Sequence, residues 1–257
     1  MTRSQATTTW TGLAARSWDA LGGNEPQEDH AYLLALLRAR GGRSLDVGCG
    51  TGRLLVRFLS EGLDVDGLDT SCDMLRICRS KAEATGRAPA LFERSMEDPG
   101  DSGPYRTILI PCGSFMLLLD DARAIGALRS MRERLTDDGL LWFNTFSPSQ
   151  RPRPTIGTWQ RRAEGELPDG SRVVMDVVVE EHDEERCVVR ARRRYTRSRG
   201  DEVLEVEDLD DAYRWRSPDA VHALVAEAGF QTVTVHGDYD GGPVGEHSSV
   251  ATFTAER

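Results

Sequence analysis

Residues 45–52 read Leu-Asp-Val-Gly-Cys-Gly-Thr-Gly, an apolar run closing on Gly48, Gly50 and Gly52, and a second run over 64–69 closes on Asp69. Glycines lack a Cβ, so the chain can turn sharply there and lie close to a ligand, and the helix that follows is expected to point free N–H groups at it. In an open parallel sheet, ligands lie beyond the carboxyl ends of the strands, beside the point where strand order reverses. A carboxylate ending the neighbouring strand is placed to accept hydrogen bonds from both hydroxyls of a ribose. The stretch predicts a nucleoside site in an α/β fold.

Working outward, strands are predicted at 43–48, 64–69 and 89–94, with helices at about 52–61 and 71–85. Ser71 with Asp73 in the first turn forms an N-cap for the second of these helices. Upstream, 28–40 carries apolar residues at helical spacing and stops at Gly41-Gly42. Downstream come an apolar run at 105–111, a helix from Asp120 to Leu135 and a further run at 139–146. Such alternation implies a doubly wound, mostly parallel sheet covered on both faces.

After Phe146 the texture changes. Ser147 to Pro154 holds three prolines, and 171–215 alternates without helical periodicity. Val173 to Val179, Cys187 to Arg199 and Glu202 to Arg216 read as a three-stranded antiparallel meander. Ser217-Pro218-Asp219 restarts a helix that runs to Gly229, and Gln231 to His236 and Ser249 to Thr254 supply two last strands, seven in the main sheet. The expected organisation is an N-terminal helical segment over 1–42 covering the site, a core over 43–149 and 217–257, and an inserted antiparallel lid over 150–216.

Composition narrows the partners. No apolar run in the 257 residues approaches the roughly 20 needed to span a bilayer. Met1 to Trp10 is polar, without the charged-then-apolar order of a secretion signal, so a cytoplasmic location is expected. The five cysteines have no metal-ligand spacing and read as buried thiols. A net charge of -10 repels a phosphate backbone. The one basic stretch, Arg190 to Arg199 with six arginines, is flanked by Glu180, Glu181, Asp183, Glu184 and Glu185 and by Glu202, Glu205 and Glu207, which can pair with it across an antiparallel sheet. A small-molecule substrate is expected, with no nucleic acid and no membrane.

Glycine spacing selects the nucleoside. A dinucleotide loop needs G-x-G-x-x-G, and its third glycine position is Arg53; a phosphate-binding Walker loop needs Gly-Lys-Ser/Thr, which is absent. Leu45 to Leu55 instead resembles the first motif of class I S-adenosylmethionine-dependent methyltransferases. Val65 to Leu75 is similar to that family's second segment, Arg94 to Asp98 to its third, Tyr105 to Pro111 to its fourth strand, and Leu135 to Phe146 to its fifth-strand turn and strand.

The resemblance implies S-adenosyl-L-methionine as cofactor, with the backbone of Gly48, Cys49 and Gly50 beneath it, Asp69 on the ribose, Thr70 and Met74 at the adenine, and Pro111 beside the methionine part. The family's usual aspartate is replaced by Ser95, so adenine recognition falls to Ser95, to Glu97 or to the backbone of Met96. The inserted sheet and the segment Gly237 to Pro243 are similar to small-molecule methyltransferases, including sugar-amine N-methyltransferases of antibiotic pathways and a peptide amino-terminal N-methyltransferase.

Methyl transfer needs an acceptor lone pair in line with the S–CH3 bond and away from water. The residues expected to face the acceptor are Trp18, Ser114, Phe115 and Phe146, with Trp10 nearby. An amine must arrive neutral or lose a proton, so a carboxylate, histidine or tyrosine can assist; Tyr195 and Tyr239 are candidates alongside the histidines, and no catalytic residue is assigned. The resulting expectation is methylation of an amine in specialised metabolism. Alternatives are O-methylation, a non-methylating S-adenosylmethionine-binding protein and, least favoured, a nicotinamide-dependent oxidoreductase.

Overall fold

A computed structural model describes residues 9–25, 27–146 and 155–257. Met1 to Thr8 and the proline-rich 147–154 lie outside the described residues, as does the expected boundary at 149/150. The chain begins with α1 (Gly12–Ser17), a turn over Asp19–Gly23 and α2 (Glu28–Arg40). Then follow β1 (Ser44–Val47), α3 (Leu55–Ser60), β2 (Val65–Asp69), α4 (Cys72–Glu83), β3 (Leu91–Glu93), β4 (Tyr105–Ile110), a 3-10 turn (Ser114–Leu117), α5 (Asp121–Glu133) and β5 (Leu135–Phe146). The remainder is β6 (Gln160–Glu166), β7 (Arg172–Asp183), β8 (Val188–Arg199), β9 (Glu202–Arg214), α6 (Pro218–Glu227), β10 (Thr232–Gly237) and β11 (Val250–Glu256).

The main sheet has seven strands in the order β10-β11-β5-β4-β1-β2-β3. Pairing is parallel from β5 through β3, and β11 runs antiparallel between β5 and β10. Strand order therefore reverses between β1 and β4, where the glycine loop was expected to open a site. One face buries Leu45, Val47, Ile108, Leu141, Phe143 and Phe253 under residues of α5 and α6. The other buries Leu109 and Trp142 against Leu33 and Leu37 of α2 and Phe58 of α3. Both faces are sealed by strands that read as continuous apolar runs, the pattern of a doubly wound sheet.

Helix starts follow local chemistry. The Ser71 hydroxyl accepts from Met74 N–H, Asp120 from Arg123 N–H and Ser217 from Ala220 N–H, with Pro218 at the first helical position. The α2 helix has Glu28 and Asp29 in its first turn and Arg38 and Arg40 in its last, and ends at Gly41 with φ +61°.

The inserted sheet, expected as a three-stranded lid, has four antiparallel strands, β6-β7-β8-β9. The added strand, Gln-Arg-Arg-Ala-Glu-Gly-Glu, is mostly exposed and offers no apolar alternation to read. Among the described residues, no helix is long and apolar enough to cross a membrane.

Candidate functional site

The three glycines have φ of +73°, +54° and +90°, which side chains rarely adopt, but their surroundings differ. A Cβ on Gly48 would meet Ser114 Oγ at 2.8 Å, and one on Gly52 would meet Val56 and Cys78 at 2.7 and 2.9 Å. A Cβ on Gly50 would meet nothing within 4 Å. Two glycines thus permit packing, and the third faces open space.

Four amides of the loop turn inward. Gly48 and Cys49 both donate to the Leu68 carbonyl, at 2.7 and 3.1 Å, and Gly52 donates to Cys49 O at 2.9 Å. Gly50 N–H donates to Asp69 Oδ2 at 2.9 Å. At the start of α3, the Leu55 N–H is hydrogen-bonded to the buried Asp46 carboxylate. The amides of Gly48, Cys49, Gly50 and Gly52 are thus spent within the fold and do not point outward as a pyrophosphate nest would require of them.

Asp69 accepts from Gly50 N–H through one oxygen and from Ser71 N–H, at 2.8 Å, through the other. Burial pushes its pKa up, and the backbone N–H bonds hold it back. Each oxygen keeps acceptor capacity for a hydroxyl. Thr70 is exposed, 3.5 Å from the Thr9 hydroxyl, and Met74 is buried one helical turn on. The Cys49 thiol turns into the core against Cys78, leaving only its backbone at the loop surface. Ser95 Oγ accepts from Asp98 N–H at 3.2 Å and Met96 is buried. Glu97 is held by Arg123 in a two-pronged pair at 2.8 and 2.5 Å.

Past β4, Pro111 is buried and its carbonyl accepts from both the N–H and the hydroxyl of Ser114, at 3.1 and 2.8 Å. Phe115 departs from expectation. It is 1 % exposed, 4.8 Å from the Phe143 ring, and belongs to the core, because the turn after Gly113 swings it under β5. Phe146 lies over Gly113 and donates its N–H to Met116 Sδ at 3.2 Å. Trp18 packs edge-on to Trp10 at 5.7 Å and donates to Gly23 O at 3.2 Å. Its segment touches the glycine loop where Thr51 donates to Asp19 at 2.7 Å. The structure thus brings Gly48, Gly50, Asp69 and Ser114 together.

Several residues escaped the sequence reading. Arg53, noted only as a missing glycine, forms a buried two-pronged pair with Asp29, Nη1 to Oδ1 at 2.8 Å and Nη2 to Oδ2 at 2.6 Å. Burial opposes its charge, and the bonds to Asp29 and the neighbouring Cys112 outweigh that and raise its pKa. Asp46 is 1 % exposed, with Oδ1 lacking a hydrogen-bond partner among the described residues. Burial, with Asp29 and Asp69 adding to it against Arg53, lifts its pKa to about 7. Cys112 is exposed at its surface, and desolvation, against the Arg53 charge, raises its thiol pKa. Asn144 accepts Gly113 N–H at 3.0 Å and donates to Tyr239 Oη at 3.2 Å. An isolated Asp, Arg or Asn carries no signal of such contacts, since each partner lies far along the chain.

The candidate bases sit in packing roles. Tyr239 stacks on Trp142 at 6.4 Å, and burial raises its pKa. Tyr195, on β8, is buried against Leu13 and Ala14 of α1, where the same cause pushes it up to about 12. His30 stacks on Phe58 and His182 packs on Trp215.

Residues 45–139 match a family profile described as a methyltransferase domain. A Geobacillus sp. (strain WCH70) protein named "Putative methyltransferase" is 38% identical over 105 residues, 41% of this chain and 42% of that protein. The ubiquinone biosynthesis O-methyltransferase of Photorhabdus laumondii subsp. laumondii is 26% identical over 145 residues, 54% of this chain and 60% of that protein. The chain spans about half the length of the curated relatives it matches. Among solved structures, the CcbJ methyltransferase from Streptomyces caelestis superposes with TM-score 0.78 at 21% identity, covering 98% of both chains. The sugar N-methyltransferase KedS8 from Streptoalloteichus sp ATCC 53650 gives 0.68 at 21%, covering 92% of this chain and 90% of its own. The fold is that of the class I methyltransferases.

Proposed function

We propose that this chain transfers a methyl group from S-adenosyl-L-methionine to a small-molecule amine. The observation that carries the reading is the glycine loop with its amides turned inward, Gly50 open above it and the Asp69 carboxylate at its rim. Such a site fits a nucleoside without a pyrophosphate, and this argues against a nicotinamide dinucleotide. When bound, S-adenosylmethionine supplies an electrophilic methyl group on a sulfonium sulfur.

In this reading the backbone of Gly48, Cys49 and Gly50 supports the donor, Asp69 accepts the ribose hydroxyls, Thr70 and Met74 flank the adenine, and Ser95 with the backbone of Met96 reads its edge. Pro111 borders the methionine part, and the unpartnered Oδ1 of Asp46 lies buried on the strand that leads into the loop. Ser114, Phe146 and Trp18 bound the acceptor space. The chain contributes positioning and exclusion of water, and no side chain is assigned as base.

Nitrogen is favoured because the likeness to the sugar N-methyltransferase KedS8 covers 92% of the chain and so takes in most of the inserted sheet. A role in specialised metabolism follows from the same likeness.

Calorimetry with S-adenosylmethionine, S-adenosylhomocysteine and NAD is expected to show binding of the first two alone. Asp69→Ala should weaken that binding by about 1.5 to 3 kcal/mol, the worth of hydrogen bonds to a charged group, with thermal unfolding run in parallel to check the fold. Methyl release over a panel of amines and phenols should single out amines. Affinity for NAD in place of the sulfonium would overturn the donor assignment, and methylation confined to phenols would overturn the acceptor assignment.

A further inference from the structure

We propose that Arg53 is a positioning residue that clamps the loop after β4 to the glycine loop through Cys112, and thereby sets the rate of transfer without setting donor affinity. The proposal rests on the methyl-transfer reading above.

The loop after β4 turns through two consecutive residues in the left-handed region, Cys112 at φ +57° and Gly113 at φ +68°. Only the second is a glycine, so the first must be held by its surroundings. Three contacts do so. Arg53 Nη2 donates to Cys112 Sγ at 2.8 Å, Asn144 Oδ1 accepts Gly113 N–H at 3.0 Å, and the Phe146 ring closes over Gly113. Arg53 is itself immobilised by the pair with Asp29, and both are buried, at 7 % and 1 % exposure.

Arg53 follows Gly52 directly, so the residue gripping the acceptor-side loop is an extension of the donor-side loop. The loops meet a second time where Ser114 Oγ occupies the space a Gly48 side chain would fill. Two points of contact fix one loop against the other, and the gap between them is where donor and acceptor must align. A misplacement of about 1 Å can cost on the order of a hundredfold in rate.

The residue type suits this role. A planar guanidinium can hold both oxygens of Asp29 in a fork and still reach the thiol, which a lysine ammonium cannot reproduce. Buried ion pairs are frequently replaceable by apolar residues without loss of stability, so this one is better explained by the geometry it specifies.

The test uses the full chain, S-adenosylhomocysteine as the binding probe and the best amine of the panel. Arg53→Lys is expected to lower kcat at least tenfold with S-adenosylhomocysteine affinity within threefold of wild type. Amide exchange at Gly113 and Ser114 should quicken in the same variant, a readout independent of turnover. Cys112→Ala should act in the same direction, and Arg53→Lys with Cys112→Ala should be no worse than Arg53→Lys alone. In the Arg53→Lys background, Cys112→Gly should restore part of kcat, because glycine holds the left-handed turn unaided; a merely structural Arg53 would give no such rescue. If Arg53→Lys does not fold, Cys112→Ala and Cys112→Gly in the wild-type background still separate slowed turnover with quickened exchange from no effect. Unchanged exchange, kcat loss matched by lost affinity, or additive losses would overturn the clamp. Failure of the wild-type chain to bind S-adenosylhomocysteine would instead overturn the methyl-transfer reading itself.

Discussion

Asp46 is a carboxylic acid in the interior, on the strand that leads into the glycine loop. Leu55 N–H and the Arg53 charge favour its ionised form, but burial and the nearby Asp29 and Asp69 prevail, and its pKa stands at about 7 against an ordinary 3.8. A folded-state pKa above the unfolded one means the folded protein keeps a proton that the unfolded chain has released. The resulting stability is fully present below about pH 4 and is lost as pH rises through 7, on the order of 4 kcal/mol in all. Asp46→Asn keeps an acceptor for Leu55 N–H and removes the titration. Urea unfolding of the two proteins between pH 4 and 8 should show the variant gaining relative to wild type as pH rises; a flat difference would sink the argument. At this scale the sequence was legible where placement is local. Gly48, Gly50 and Asp69 could be read because spacing along one strand–helix–strand unit places them. Arg53 with Asp29, and Asn144 with Gly113, could not, because each pair joins distant segments. Phe115 was misread for the same reason: its sequence neighbours form a loop, but its partner Phe143 lies on β5.

The helix α1 is an element made by its partners. Six residues cannot sustain a helix alone, and the two carboxylates that cap its start come from different layers. Gly12 N–H donates to Asp73 Oδ2 on α4 at 2.8 Å, and Leu13 N–H donates to Glu207 Oε2 on β9 at 2.7 Å. Arg16 adds a two-pronged contact to Glu205 at 2.8 Å, so α1 fastens the lid to the helix that follows Asp69. Glu207→Ala removes one cap at a cost of about 1 kcal/mol. Amide exchange should quicken at Leu13 and Ala14 and stay unchanged in β1 and β4; protection retained at Leu13 would show that Glu207 does not hold the helix. The same logic separates what could be read among the elements. The span predicted for α2, 28–40, is the span observed, because its charges, apolar spacing and glycine stop are all internal to it. In contrast α1 and β6 have no internal pattern, and each exists through contacts with other segments: α1 with α4 and β9, and β6 with β7 and with the N-terminal turn, Gly165 packing against the Ala20 carbonyl.

Across the whole molecule, every arginine of β8 meets an acid, from the strands on either side or from Asp169 in the turn between β6 and β7. Register sets Arg192 opposite Asp210, Arg194 opposite Asp208 and Arg197 opposite Glu205. Arg190 reaches Glu181 at 3.3 Å, Arg192 reaches Glu180 at 2.8 Å, Arg194 reaches Asp208 at 2.7 Å, and Arg199 reaches Asp169 at 3.3 Å. Arg193 is paired with Asp211 on the inward face, and Arg197 with Asp169. Exposed pairs of this kind each contribute roughly 0 to 1 kcal/mol, so the ladder matters less for stability than for cancelling the field that six arginines would project. A phosphate backbone approaching the lid would have to displace an acid for every arginine it gained, against a chain carrying a net charge of -10. Binding to single-stranded RNA at low salt is therefore expected to be weaker than about 100 μM. Fluorescence anisotropy at about 50 mM salt decides the matter, because a micromolar affinity that fell steeply with added salt would mean the ladder opens in solution and presents its cations.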